Sequence, residues 1–484
     1  MIKTIESYFS DAVIESAKKC AHRLMKYLPN PEELKKNRVL LAYGGGKDSS
    51  YMVAWVRYIQ GIVLAEKGDT FKLRIITNRH SGMNEKVMEN IDAAYRSLGV
   101  YEDDSVECLI SDGLLIRPFE RFLVMPDAVR LQNRNDVLMG GHRFQADARS
   151  TFCNACNLSM MNALGMAAHR EGGVDVIVTG DSSREQTAYY AWVRHLSRIF
   201  DVPEVAKGRG FSTFLQTLDG VSKGYFESIY GVGNTVPGHR VAHELVRDPV
   251  FFNIYQDTAY ESGDHWPLLT EYMGFKFDEL MFSFSESDCG NPTLMAHIRG
   301  LRAETLLGRS YAEGIREYVE FAIGLMRQKN FPPCLISEMA ARYRDDSAID
   351  LQRARATKFA IDAFGLSSEQ LICMIYSPFT EHGKNLDIYL AQQNVALSSA
   401  EIHKLLDNNM IDYFSLGDQL EILSGLTLEQ LRQCYGNRLV VSLLEPVSDD
   451  PLSKILRRDP HKAIIQVRSN SASCGSVAEV ISGR

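Results

Sequence analysis

The sequence predicts an α/β fold, a doubly wound parallel sheet with an additional helical domain at the C-terminal end. Three observations predict it. Over the first half of the chain, short apolar runs alternate with amphipathic segments of helix length, the pattern of strands joined by helical crossovers. One such run, Arg38–Tyr43, leads directly into Gly44, Gly45 and Gly46 and then into a helix. From about Asn330 the strand-like runs give way to helical periodicity.

The elements follow in order. Residues 4–28 place Ile5, Phe9, Val13, Ile14 and Ala17 on one helical face, and Asn30 with Pro31 ends that helix. Arg38–Tyr43 reads as a buried strand and Ser49–Lys67 as the helix after it. The alternation returns with strand Phe71–Thr77 and helix Asn84–Leu98, and again with a helix from about Asn157 to Glu171 before strand Asp175–Thr179. Two long excursions, about Val106–Ser150, with a strand-like start and a polar, Arg-rich end, and the glycine-rich Val205–His239, have the length of lids, substrate elements or disordered segments. Further on, LSSEQL from Leu366, LSSAEI from Leu397 and LTLEQL from Leu426 read as capped helix starts. The tail after Val467 is small and polar, and is expected to be loosely ordered. The resulting division is an N-terminal helix (1–30), a nucleotide-binding domain with two insertions (31–329) and a mainly helical region (330–484) of no assigned role.

Composition narrows the function. A chain of 484 residues, 45% apolar and 24% charged, has ordinary globular composition. No run approaches the roughly 20 apolar residues of a membrane span. The N-terminus carries acids throughout and reads as amphipathic rather than as a signal peptide, so no membrane partner and a cytoplasmic location are expected. The net charge of −8 argues against a nucleic-acid binder that is basic overall. A homodimer is left open. Nine cysteines at irregular spacing, without a secretion signal, point to metal, cluster or redox chemistry rather than to structural disulfides.

The glycine turn is the strongest local signal. A strand that ends in three glycines and turns into a helix presents several backbone N–H groups at one point, with the helix dipole favouring an anion. Lys47 adds a positive charge, and Ser49 and Ser50 add hydroxyl donors. Asp48 adds negative charge, which fits a phosphate site when Mg2+ bridges it to the pyrophosphate. The stretch VLLAYGGGKDSS at Val39–Ser50 resembles the S-G-G-x-D-S signature of the PP-loop ATP pyrophosphatase family, which cleaves ATP between the α and β phosphates. The G-x-x-x-x-G-K-[ST] spacing of kinase-type loops is absent. Gly44 stands where that family usually has serine, which removes one hydroxyl from the phosphate nest. The resemblance implies a sheet like that of the adenine nucleotide alpha hydrolases. It also implies nucleotide contacts at Thr77 and Asn78, where the second strand ends, and at Gly180 and Asp181 in the turn after Thr179. Relatives carry T-G-E-S or G-H-x-x-D-D at that last turn; the histidine is absent here, and Glu185 alone aligns with the acid pair.

Cys153 and Cys156 form a C-x-x-C pair read as lying at a helix start, where the helix terminus lowers thiol pKa. By itself the pair fits a redox couple, half a zinc site or part of an iron–sulfur cluster. Together with the glycine turn it resembles the tRNA 2-thiocytidine and thiouridine synthetase branch. That resemblance implies a [4Fe-4S] cluster held by Cys153, Cys156 and a third cysteine, Cys289, with Cys334 as rival. The implied reaction is ATP-dependent adenylation of a carbonyl oxygen followed by its replacement with sulfur from sulfide or a persulfide carrier. The implied acceptor is a tRNA base or a small nucleobase-like metabolite. Lys47 and Asp48 would serve adenylation, and the cysteine pair sulfur transfer, as cluster ligands or as a persulfide couple. Amide or C–N bond formation by the same adenylation is one alternative, and a sensing or scaffold protein whose loop binds ATP without turnover is another. Arg143, Arg149, Arg299, Arg302, Lys454, Arg457, Arg458, Lys462 and Arg468 are basic positions available to tRNA phosphates or to plain solvent.

Overall fold

Val39, Leu40 and Leu41 are buried toward both sides of their strand, as the central strand of a parallel sheet covered on both faces requires. The structure, a computed structural model, describes residues 1–203, 210–258, 265–280, 292–328, 331–407, 415–440, 448–458, 462–467 and 477–482. Six strands, β1 (Arg38–Ala42), β2 (Lys72–Arg79), β3 (Val106–Asp112), β4 (Leu115–Pro118), β5 (Val176–Thr179) and β6 (Val250–Asn253), form one sheet in the order β4-β3-β2-β1-β5-β6. All neighbours run parallel except the edge strand β4, which pairs antiparallel with β3. Leu40 is in register with Arg74 on one side and Ile177 on the other.

Helices cover both faces. The chain opens with α1 (Ile2–Glu6) and α2 (Asp11–Met25); α3 (Lys47–Lys67) follows β1 and α4 (Glu85–Ser97) follows β2. Their apolar residues join Val39, Leu41, Leu73, Ile75, Val176 and Val178 in one cluster. On the opposite face, α6 (Ala148–His169), α7 (Ser183–Ile199) and the first half of α8 (Phe211–Tyr230) pack on Leu40, Ile76 and Ile177. A third apolar cluster joins α5 (Asp127–Arg143), the second half of α8, α9 (Pro292–Thr305), α10 (Tyr311–Gln328) and the helices between Pro333 and Arg457. The protein is thus a mostly helical α/β fold with a six-stranded, mostly parallel sheet. No helix among the described residues is long and apolar enough to cross a membrane.

Several expectations need correcting. The N-terminal helix is two helices, because Ser10 caps a fresh start by accepting from the Val13 amide at 3.4 Å. The first excursion is no open loop: it folds as β3, β4 and α5. Most of the second is the continuous helix α8, while residues 204–209 lie outside the described residues. Its glycines serve packing, since a Cβ at Gly220 would sit 2.7 Å from Val202 and one at Gly224 2.5 Å from the ring of Phe200. The tail contains an antiparallel pair, β7 (Lys462–Val467) and β8 (Val477–Ser482), with Lys462 opposite Ser482. Ser367 and Thr427 do form capping boxes, and Ser398 caps its helix.

Candidate functional site

In this sheet the crossovers after β1 and β2 cover one face and those leading to β5 and β6 the other, so strand order reverses between β1 and β5. Crevices at such a reversal, beyond the carboxyl ends of the strands, are where open α/β sheets hold ligands. The turns after β1 and β5 both open here.

The chain entering the glycine turn is held from beneath. The Tyr43 amide donates to Ile76 O at 2.8 Å, and the buried Thr77 hydroxyl donates to Tyr43 O at 2.8 Å. Gly45 has φ +78, and a Cβ there would lie 2.6 Å from Val87 and 2.8 Å from Ile91 on α4. Both the left-handed backbone and the close helix therefore require glycine. Gly46 is the N-cap of α3 and supplies no side-chain acceptor. The helix start is thereby aimed at whatever lies in the crevice. Gly44, just before, completes the turn.

The polar side chains of the turn divide. Lys47 and Asp48 form an ion pair, with Lys47 mostly buried and Asp48 61% exposed. The Lys47 ammonium also lies 5.4 Å from the ring centre of Phe331. Ser49 donates to Gly46 O at 3.1 Å. Ser50 is buried and shares a 3.0 Å hydrogen bond with the Tyr43 hydroxyl, within the fold rather than toward the crevice.

Across the crevice, Gly180 faces α3 closely: a Cβ there would be 2.6 Å from Met52 Sδ. Asn253, at the end of β6, donates to Asp181 O at 2.6 Å. Partial desolvation and the neighbouring Glu185 charge raise the carboxyl of Asp181, whose residue is largely exposed, from its ordinary value. Glu185 completes a capping box with Ser182, accepting from its amide at 2.8 Å while the Glu185 amide donates back at 3.2 Å.

The cysteine pair does not stand at a helix start. Positions 153 and 156 lie inside α6, whose N-cap is Asp147, beyond the first turn, where a helix end acts most strongly on charge. What resets the boundary is Asp147 itself, which accepts from the Ser150 amide at 3.1 Å. Cys156 is half-buried. The side chain of Cys153, and Cys289 entirely, lie outside the described residues. One turn on from Cys156, the Ser159 hydroxyl donates to Asn78 Oδ1 at 3.3 Å, so the middle of α6 is tied to the end of β2. The rival Cys334 is exposed near the start of helix Pro333–Arg342, three residues after Phe331. Burial pushes the thiols of Cys20, Cys108, Cys373 and Cys434 up to about 12, which keeps them protonated. Among the described residues, no three His, Cys, Asp or Glu side chains gather as a metal site.

Several basic candidates for phosphate contact are spent internally. Arg143 pairs with Asp450, Arg299 with Glu317 at 2.7 Å, and Lys462 with Asp147; Arg302 donates to Gln145 O at 2.9 Å. Arg457 and Arg458 are exposed, and Arg468 lies outside the described residues.

Sequence reasoning missed Ser159, Asn253 and Phe331. Ser159 had a signal, since it falls one helical turn after Cys156. Phe331 had none, for it comes from nearly three hundred residues away.

No protein-family model and no curated protein matches the chain. Among solved structures, it is similar to the U34-tRNA thiolase NcsA from Methanococcus maripaludis with its [4Fe-4S] cluster, at 14% identity and a TM-score of 0.23, over 64% of this chain and 78% of that chain.

Proposed function

We propose that the protein is an ATP-dependent, AMP-forming sulfurtransferase acting on a carbonyl group of a tRNA base or a nucleobase-like metabolite. One observation carries the reading: the Gly44–Ser50 turn opens α3 at the strand-order reversal, and the helix bearing Cys156 is bonded to the end of the adjacent strand through Ser159 and Asn78.

In this reading Gly44, Gly45 and Gly46 let the phosphates approach the backbone, and the start of α3 and Lys47 stabilise negative charge. The substrate oxygen attacks the α phosphorus, the bond to the β phosphate breaks, and pyrophosphate leaves. Charge on the departing group is met by donors already fixed in place, so little reorganisation is needed. Asp48 is the residue for Mg2+, and Asp181 faces the nucleotide from the β5 turn. A sulfur nucleophile then adds at the adenylated carbon and AMP departs with the original oxygen. Thr77 and Asn78 set the floor between the two half-reactions. A [4Fe-4S] cluster, held by Cys153, Cys156 and Cys289, would supply the position from which sulfur is delivered. Half-buried Cys156 on a helix tied to the floor suits such a ligand.

The test is anaerobic purification with iron and sulfide analysis, then reaction with ATP, Mg2+, sulfide and unmodified tRNA or free pyrimidine nucleosides. AMP, pyrophosphate and a thiolated product in equal amounts are expected. ADP as the nucleotide product would overturn the reading. AMP formed with ammonia incorporated instead of sulfur would replace it with a C–N ligase.

A further inference from the structure

Asp147 uses its two carboxylate oxygens for different tasks. Oδ1 caps α6 by accepting from the Ser150 amide at 3.1 Å, while Oδ2 takes the ammonium of Lys462 from β7. The Lys462 side chain is only 1% exposed. A buried ammonium is tolerated because a carboxylate meets it, and removing either partner would strand the other.

The backbone just before this cap is strained. Gln145 and Ala146 have φ of 50 and 51, a left-handed conformation uncommon for residues with a Cβ. Such a turn persists when its surroundings over-determine it. The Ala146 amide donates to Gly141 O at 2.8 Å, the Val440 amide to Arg143 O at 2.9 Å, and Arg302 to Gln145 O at 2.9 Å. Arg143 itself is paired with Asp450. Apart from the local bond to Gly141, these holders (Arg302, Val440, Asp450 and Lys462) all come from the chain after residue 300.

We infer that Lys462 is a positioning residue for the cysteine pair: through Asp147, the terminal hairpin fixes where α6 begins and how its first turns, with positions 153 and 156, are set against the end of β2. The part of this inference that concerns sulfur rests on the function proposed above; the part that concerns α6 does not.

The experiment uses the full chain with Lys462→Met, Asp147→Asn, the two combined, and Lys462→Arg. Asparagine keeps the capping oxygen, so Asp147→Asn removes the ion pair alone. Amide hydrogen exchange over 148–156, read by mass spectrometry, should accelerate roughly tenfold in the first three variants, as local opening of an uncoupled helix end predicts. Lys462→Arg should restore the wild-type rates. Exchange in α3 and the KM for ATP should stay unchanged, which a general loss of structure would not allow. Should either single variant fail to fold, the combined variant, which strands no buried charge, carries the test. Wild-type exchange rates in a folded variant that lacks the pair would overturn the inference. Acceleration in a protein that forms no thiolated product would support the positioning role and reject the sulfur chemistry alone.

Discussion

The ammonium of Lys47 lies 5.4 Å from the centre of the Phe331 ring. Phe331 is itself set among Trp266 and Phe277, with ring centres 5.5 and 6.3 Å away. The cation of the glycine turn is therefore steadied by an aromatic side chain that packs with the helical body. Exchange of Phe331 for leucine keeps an apolar contact and loses the π face. A cation–π contact is worth about 0.5–2 kcal/mol, so pyrophosphate release should slow by about twofold to thirtyfold. Lys47→Ala removes the charge itself and should cost about 10²-fold in kcat, the order seen when one donor to a developing charge is lost. Unchanged kinetics in both variants would place the nucleotide elsewhere.

Gly45→Ala should destabilise the fold by about 1–3 kcal/mol, since alanine at φ +78 is strained and its Cβ would overlap Val87 and Ile91. Urea unfolding reads the loss. A neutral result would mean that the turn relaxes freely and is not held in its present shape.

Arg74→Met should cost about 3–5 kcal/mol, the scale of breaking a buried charge pair. Arg74 is fully buried in β2, pairs with Glu107 at 2.6 Å, and donates to Ala167 O at 2.8 Å and Arg170 O at 2.7 Å at the C-terminal end of α6. Its loss leaves Glu107 with only the longer pairing to Arg170 at 3.4 Å and removes a cation from a helix C-terminus. Calorimetry should show the lowered midpoint, and a Glu107→Gln change in the same chain should recover part of it.

Acid should weaken the protein before its carboxylates titrate. Burial pushes the imidazoles of His80, His142 and His297 down from 6.5 to about 4, so they stay neutral in the fold. The unfolded chain takes up those protons near 6.5, so it binds more protons than the native state between 6.5 and 4. Stability is therefore undiminished above pH 6.5 and falls as pH drops toward 4, by about 1.4 kcal/mol per pH unit for each histidine. Urea midpoints measured from pH 7 to 5 should show the slope, and His80→Gln should make it shallower. A flat profile would refute the assignment.

Much of the sheet was legible in the chain. Runs such as VLL at Val39–Leu41 and IIT at Ile75–Thr77 are buried toward both faces, and local apolarity marks them without help from tertiary context. The glycine turn was legible for the same reason, since strand, turn and helix start are contiguous. Helix α8 was not, because Gly220 and Gly224 read as loop residues when taken alone. Only the close approach of Val202 and Phe200 explains them. The start of α6 was misplaced because polar residues before the cysteines look like loop, whereas Asp147 makes them the opening turn of a helix. The pairing of Lys462 with Asp147 joins positions over three hundred residues apart, and no local pattern encodes such a meeting.

Helix α6 belongs to two cores at once. Phe152 lies in the apolar cluster of the helical body, while Met161, Ala163 and Ala167 lie in the cluster beneath the sheet. Cys156 and Ser159 fall where ownership passes from one to the other. A helix anchored in both clusters couples them, so a change of packing in either one is carried along α6 past Cys156 and Ser159.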